Sequence, residues 1–364
     1  MKKVSLNFHF IDFKAAFDTV WRKALWKMLK SIGVCSKIVN IVEYMYNQTE
    51  CSILIDGQLK DWFHVEVGVR QGCILSPTLF NIFLEFVMDE LSCLQSSLKL
   101  NPTLSTDIRY ADDTSLIAFT FEKLQISTTE LHKACKKWGL KVNQTKCKVL
   151  TSETRNITID GNSVENVDNF VFLGSVVPDT ADDVKRRIAL ASSAFGRLKE
   201  KIWRNRSIPL KIKTRLYYAL IVPIAIYACE TWTLRKAESQ SLLVFENNCL
   251  RSMLGKTLLD RVKIVTLRRK VGVERNIIEI IKKRRLSWFG HVARRGEESY
   301  VYRAFKDEFP GRRPRGRPPK RWIDQLRDDT NLPPLTLERK AKDRDLWKKF
   351  VQKKCAKIPL GLSN

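Results

Sequence analysis

Asp12, Asp112 and Asp113 are the residues whose types and settings suggest chemistry. Asp12 ends the short apolar run from Val4 to Ile11. Asp112 and Asp113 interrupt Asp107-Ile108-Arg109-Tyr110-Ala111-Asp112-Asp113-Thr114-Ser115-Leu116-Ile117-Ala118. An apolar run enters and another leaves, which is the pattern of a hairpin with two acids at its tip. Adjacent like charges repel, so a fold keeps such a pair mainly where a cation neutralises it. A hard divalent ion held by oxygen ligands is the natural cation. Taken alone, the stretch also fits an exposed acidic turn.

The flanking sequence supplies elements to position these acids. Val4 to Ile11 reads as a buried strand, residues 13–18 turn into a helix, and helical patterns cover 20–31 and 36–48 with Gly33 between them. Asp56-Gly57 separates two strand-like runs, 51–55 and 62–67, as a hairpin turn would. Ser76 as N-cap and Pro77 at the first helical position predict a strongly apolar helix to about Leu94. After the acidic hairpin come a helix from about Lys123 to Trp138, stopped by Gly139, and short strands at 147–150, 157–159, 164–167 and 170–173. Beyond Asp182 strand signals fade, and helices are predicted over 183–204, 209–230, 237–254, 274–291 and 335–353. The early order of strand, helix, two strands, helix and strand predicts an α+β fold with a ferredoxin-like sheet. Adjacent antiparallel strands would bring Asp12 beside Asp112 and Asp113. Three such carboxylates suit two divalent ions, which activate a 3′ hydroxyl and stabilise a leaving pyrophosphate.

The balance of charge points to a polyanion. Of the 364 residues 44% are hydrophobic and 29% charged, a globular composition. The first 180 residues carry 20 Lys and Arg against 20 Asp and Glu, so the remainder holds the whole net charge of +26. One half is balanced and the other is built for nucleic acid. The nine cysteines show no Cys-x-x-Cys spacing, the four histidines are not spaced with them for zinc, and no signal peptide opens the chain, which predicts a reducing, intracellular setting in nucleus and cytoplasm rather than secretion. The longest uncharged apolar run, Leu216 to Cys229, is too short for a bilayer and contains Pro223, so no membrane partner is expected.

The ordered motifs resemble those of reverse transcriptases from non-LTR, LINE-like retrotransposons. Phe10-Ile11-Asp12-Phe13-Lys14-Ala15-Ala16-Phe17-Asp18 is similar to the family's first palm motif. Gly68-Val69-Arg70-Gln71-Gly72-Cys73-Ile74-Leu75-Ser76-Pro77 is similar to the motif at the incoming nucleotide and template. Tyr110-Ala111-Asp112-Asp113 is similar to the signature motif, Gly139 to Lys146 to the one after it, and Phe172-Leu173-Gly174 to the primer-grip turn. The resemblance implies a palm followed by an α-helical thumb and a basic C-terminal region. It implies RNA-directed DNA polymerase activity with two Mg²⁺ ions, or Mn²⁺ in their place, on an RNA template, a DNA primer and dNTPs. It makes Asp12, Asp112 and Asp113 catalytic metal ligands. Phe13, Phe17, Gln71, Gly72, Tyr110 and Lys146 contact the nucleotide, with Phe17 as the gate against a ribose 2′-OH. Read bottom-up, Gly72 permits close backbone approach, whereas Phe17 and Phe172 also fit plain core and Lys146 a solvated lysine.

On the same resemblance, residues 1–180 are the palm (motifs A to E) and 181–300 the thumb and a connection-like region. Residues 301–334 are a basic Pro/Gly/Arg linker, and 335–364 a C-terminal helix and tail. Arg186 and Arg187 are expected on the nucleic-acid backbone, where contacts position rather than specify. Lys282 to Arg285 precede Trp288, Phe289 and His291, which fits a stacking platform or an ordinary amphipathic helix. Within 311–320, Arg313, Arg315, Gly316 and Arg317 resemble an AT-hook, for which A·T-rich DNA is the partner; a flexible basic linker fits too. The family's fingers, endonuclease and zinc knuckle are not encoded here, so the chain reads as N-terminally truncated. It is read either as a polymerase or as a non-catalytic, nucleic-acid-binding remnant.

Overall fold

The structure, a computed structural model, describes residues 6–95, 107–273, 275–306 and 320–355, with the side chains of 92–95 excluded. The chain forms two compact units that meet in sequence between Phe172 and Leu173.

The first unit is built on a five-stranded sheet. Its strands are β1 (Asn7–Ile11), β2 (Asp107–Tyr110), β3 (Asp113–Ala118), β4 (Lys148–Leu150) and β5 (Glu165–Asn166), in the order β5-β4-β1-β3-β2. β1 is central and antiparallel to both β3 and β4, and β2 pairs antiparallel with β3. The order β4-β1-β3-β2 is the ferredoxin-like arrangement expected from the sequence; β5 adds a parallel edge. Alternation decides which side chain goes where. On one face, His9 contacts Thr128 at 2.8 Å and Ile11 joins the main core. On the other, Phe10 stacks on Phe170 with centroids 4.2 Å apart. Burial holds His9 neutral, its pKa pushed down to about 3.

Four helices complete this unit: α1 (Arg22–Ser31), α2 (Ser36–Asn47), α3 (Ser76–Gln95) and α4 (Phe121–Trp138). α3 is apolar enough to be buried on several sides, and Phe80, Phe83 and Val87 are fully enclosed. The Ser76 hydroxyl donates to the Arg70 carbonyl and meets the Tyr46 hydroxyl, which ties the start of α3 to the preceding loop. Thr120 caps α4 by accepting from the Lys123 amide, and Gly139 ends it with a left-handed φ of 80°. Asp56-Gly57 turns a hairpin as expected, both with positive φ, but its inner strands are Leu54–Ile55 and Gln58–Leu59.

The second unit opens with the strand Ser175–Val177, just past the last strand expected from the sequence, 170–173. Its helices are α5 (Thr180–Arg197), α6 (Leu210–Leu216), α7 (Lys236–Met253), α8 (Ile264–Val271), α9 (Ile277–Arg295), α10 (Tyr300–Lys306), α11 (Trp322–Thr330), α12 (Pro334–Lys342) and α13 (Arg344–Lys354). The helix predicted over 209–230 is interrupted. A π-helical turn, Tyr217–Ile221, leads into Val222–Ala225. Pro223 has no amide to donate, and the wide turn before it absorbs the mismatch. The pattern over 335–353 splits at Asp343, whose carboxylate accepts from the Asp345 and Leu346 amides and starts a new helix. Two hydrophobic clusters fill the unit, and α9 contributes to both: Ile277 and Ile281 to one, Leu286 and Phe289 to the other. The linker expected over 301–334 contains the helices α10 and α11 among its described residues. Leu326 is fully buried in the second cluster, because apolar residues at helical spacing there outweigh the basic composition. Among the described residues no helix is long and apolar enough to cross a membrane.

Candidate active site

Asp12 follows the last residue of β1, and the register pairs Ile11 with Thr114, so Asp12 lies across from Asp113 at the end of β3. Tyr110 pairs with Asp113 across the hairpin, which leaves Ala111 and Asp112 as a two-residue turn. Ala111 takes a left-handed φ of 53°, uncommon for a residue with a Cβ and a form of strain that gathers at functional sites. Burial, then the charges of Asp112 and Asp12, push the Asp113 carboxyl above its ordinary value. The three acids therefore share one electrostatic environment.

The backbone of Asp12 is pinned from the other side. Its carbonyl accepts from the Asn143 amide at 2.7 Å, Phe13 bridges to Val142, and the Lys14 amide donates to the Lys141 carbonyl. Lys146 follows in the turn that Asn143 starts, and its Nζ lies 3.9 Å from Asp12 Oδ2. That Oδ2 is buried and has no hydrogen-bond partner among the described residues. Among the described residues no three His, Cys, Asp or Glu side chains are gathered to hold a metal ion. The donor set nonetheless fits a hard divalent cation, since it is all oxygen and includes one buried acceptor left unsatisfied.

A second strip of chain lies along the first motif. The Val69 amide donates to the Phe17 carbonyl and the Gly68 amide to the Val20 carbonyl. Gly68 has a φ of 82°, and a Cβ there would come within 2.7 Å of the Asp18 carbonyl oxygen, so only glycine fits. Gln71 Nε2 then donates to both carboxylate oxygens of Asp18, at 3.1 and 3.2 Å. Gly72 also has a positive φ but faces open space. Phe17 is half-buried and stacks on Phe80 at 4.6 Å. Tyr110 is exposed. The structure thus brings the elements bearing Asp12, Phe13, Phe17, Gln71, Gly72, Tyr110, Asp112, Asp113 and Lys146 into one unit. Asp18 and Cys147 escaped the sequence reading. The thiol of Cys147 accepts from the Asp12 amide at 3.4 Å, and its place beside Lys146 was the signal available.

The remaining expected residues divide. Phe172 is half-buried and packs near Phe10, with ring centroids 5.4 Å apart. Leu173 and Gly174 both have positive φ. The Leu173 carbonyl accepts from Tyr227 at 3.0 Å, and the Gly174 carbonyl accepts from Arg186 and Arg187. For Arg187 the structure corrects the expectation of a phosphate contact. The side chain is buried, lies over the Tyr227 ring at 4.2 Å and pairs with Asp183, so no face is left for nucleic acid. Arg186 is half-buried on the same carbonyl. Arg313, Arg315, Gly316 and Arg317 lie outside the described residues.

A ferredoxin-like sheet with Asp12 and Asp113 at adjacent strand ends is the arrangement expected of a polymerase palm. Residues 2–177 match the family described as Reverse transcriptase (RNA-dependent DNA polymerase). A transposon-derived protein of Caenorhabditis elegans is 28% identical over 283 residues, 70% of this chain and 98% of that protein. The RNA-directed DNA polymerase from mobile element jockey of Drosophila funebris is 24% identical over 75% of this chain and 31% of its own length. The Pol polyprotein from the type-1 retrotransposable element R2 of Popillia japonica is 23% identical over 50% of this chain and 32% of its own. The chain thus spans nearly all of the nematode protein but about a third of the other two.

Proposed function

We propose that this chain extends a DNA primer on an RNA template, with dNTPs as substrates and two Mg²⁺ ions, replaceable by Mn²⁺, held by Asp12, Asp112 and Asp113. The observation that carries the reading is the strand register that sets Asp12 across from Asp113 and next to the Asp112 turn, with Asp12 Oδ2 buried, free of hydrogen bonds among the described residues and 3.9 Å from the Lys146 ammonium. When bound, such ions supply Lewis-acid stabilisation of the attacking and leaving oxygens. The other residues orient and select. Phe17, braced on Phe80, presents a bulky wall to the sugar, and a 2′-OH would clash with it. Gln71 is held by Asp18 beside the incoming nucleotide. The exposed Lys146 ammonium is near enough to Asp12 to reach a triphosphate at the acids, and it can give a proton to departing pyrophosphate. Leu173 and Gly174 serve as the primer-grip turn, and Arg186 keeps a half-exposed cation beside it.

Primer extension with dNTPs beside NTPs tests this reading. The wild type is expected to add dNTPs only, and Phe17→Ala to add NTPs as well. No addition of either by the wild type would leave a nucleic-acid binder without polymerase activity.

A further inference from the structure

Helix α9 turns two faces to different surroundings. Arg285, Leu286, Phe289 and Val292 are buried, Arg285 against Asp329. On the other face Lys283, Arg284, Ser287, Trp288 and His291 line an open groove of about 530 Å³, with Glu230 on its wall. A groove of that size accommodates a nucleotide. Trp288 stacks on His291 with centroids 5.5 Å apart and planes 21° from parallel, yet 36% of Trp288 remains exposed. Arg295 Nε donates to His291 Nε2 at 3.2 Å, which fixes that nitrogen as an acceptor and orients the ring. The imidazole thus holds the indole from one side and leaves aromatic surface free. The cations differ in availability. Arg284 is engaged by Glu230 at 3.7 Å and by the Ile226 carbonyl at 3.5 Å. Lys283 is exposed and has no hydrogen-bond or ion-pair partner among the described residues. An exposed Trp flanked by a free ammonium, in the part of the chain that carries the entire net positive charge, matches a base and its phosphate better than an apolar protein surface.

We propose that this groove binds single-stranded nucleic acid, with one base stacked on Trp288 and the adjoining phosphodiester on Lys283. A duplex hides its base faces, so the site selects unpaired strands. It lies wholly in the second unit and is independent of the polymerase reading.

Fluorescence anisotropy of the full chain tests it, without dNTPs or divalent cations so that polymerisation plays no part. The probes are labelled oligo-dT and oligo-rU of about twelve nucleotides, within the site sizes of single-strand binders, and a DNA duplex of equal length. Trp288→Ala is expected to weaken single-strand binding about 5- to 150-fold, the effect of losing one base–aromatic stack. Trp288→Phe should restore most of it, and duplex binding should hold. Lys283→Ala should lower the salt slope by about 0.7, one phosphate contact on a single strand. A loss confined to oligo-dT or to oligo-rU supports the site and assigns it to that nucleic acid. Wild-type affinity in Trp288→Ala, an equal loss on the duplex, or no recovery with Phe overturns the proposal.

Discussion

Asp113 shows how one side chain reports on its site. Its carboxyl is raised by burial and by its two acidic neighbours, so its ionisation works against folding as pH rises above the ordinary carboxylate range. A divalent cation removes that cost. Adding Mg²⁺ at ten times its dissociation constant is therefore expected to raise stability by about 1.4 kcal/mol at neutral pH. The gain should fade as pH drops through the carboxylate range, and it should shrink in Asp113→Asn. Thermal melts with and without the ion check both, and an Mg²⁺ gain equally large at low pH would contradict the account. Gly68 carries a second residue-scale expectation. Gly68→Ala should cost about 1–3 kcal/mol, because its Cβ meets the Asp18 carbonyl in a left-handed conformation. Gly72→Ala, with the same φ and open space, should cost about 1 kcal/mol. Urea denaturation separates them, and equal losses would mean the close approach is unimportant. At this scale the sequence was informative where residue type alone carries meaning. Adjacent acids, a Gln after a positive-φ Gly motif and an aromatic before an acid are chemical signatures. Arg187 was not legible, because a buried arginine and a phosphate-binding one look alike until the partners Gly174, Tyr227 and Asp183 are seen.

The elements explain why those side chains stay in place. Asp183 of α5 accepts from the Val176 amide at 3.0 Å and from Trp232 Nε1 at 2.8 Å, while Arg187 one turn later holds the Gly174 carbonyl. α5 thus clamps the turn that begins the second unit. Arg187→Ala is expected to lose about 3 kcal/mol, since a buried partner is left uncompensated. Its nucleic-acid affinity, measured below the new melting temperature, should be unchanged. A variant that melts like the wild type but binds less tightly would restore the phosphate-contact reading. α9 is anchored similarly: the buried Glu246 accepts from its first amide, Ile277, at 3.0 Å and from Arg268 at 2.7 Å. Burial pushes that carboxyl up to about 7 against the pull of Arg268. The early elements were readable because caps and turns mark their ends, as Thr120 and Gly139 do for α4. Those after Asp182 were less so. Pro223 breaks a long apolar pattern from within, and α10 and α11 are short helices in a charged stretch whose burial depends on distant partners.

For the whole molecule, the division of charge is the organising fact. The neutral N-terminal half carries the acids, and the rest carries +26. Six phosphate contacts would weaken binding about a thousandfold between roughly 50 and 200 mM salt. A steep loss of this kind is expected for the intact chain, and salt-insensitive binding would mean that the basic surplus faces no polyanion. The ferredoxin-like order was legible in full because it follows from which strands alternate with which helices.

A working polymerase site at Asp12, Asp112 and Asp113 makes primer extension depend on these carboxylates. The most direct measurement is extension of a labelled DNA primer annealed to an RNA template, in Mg²⁺ with dNTPs, by the wild type and by Asp112→Ala at matched concentration and verified folding. Templated extension is expected from the wild type, with a loss of at least about a hundredfold in the variant, the scale of several kcal/mol of metal-assisted stabilisation. Equal extension by both, or none by a folded wild type that binds the primer–template, would contradict a working site.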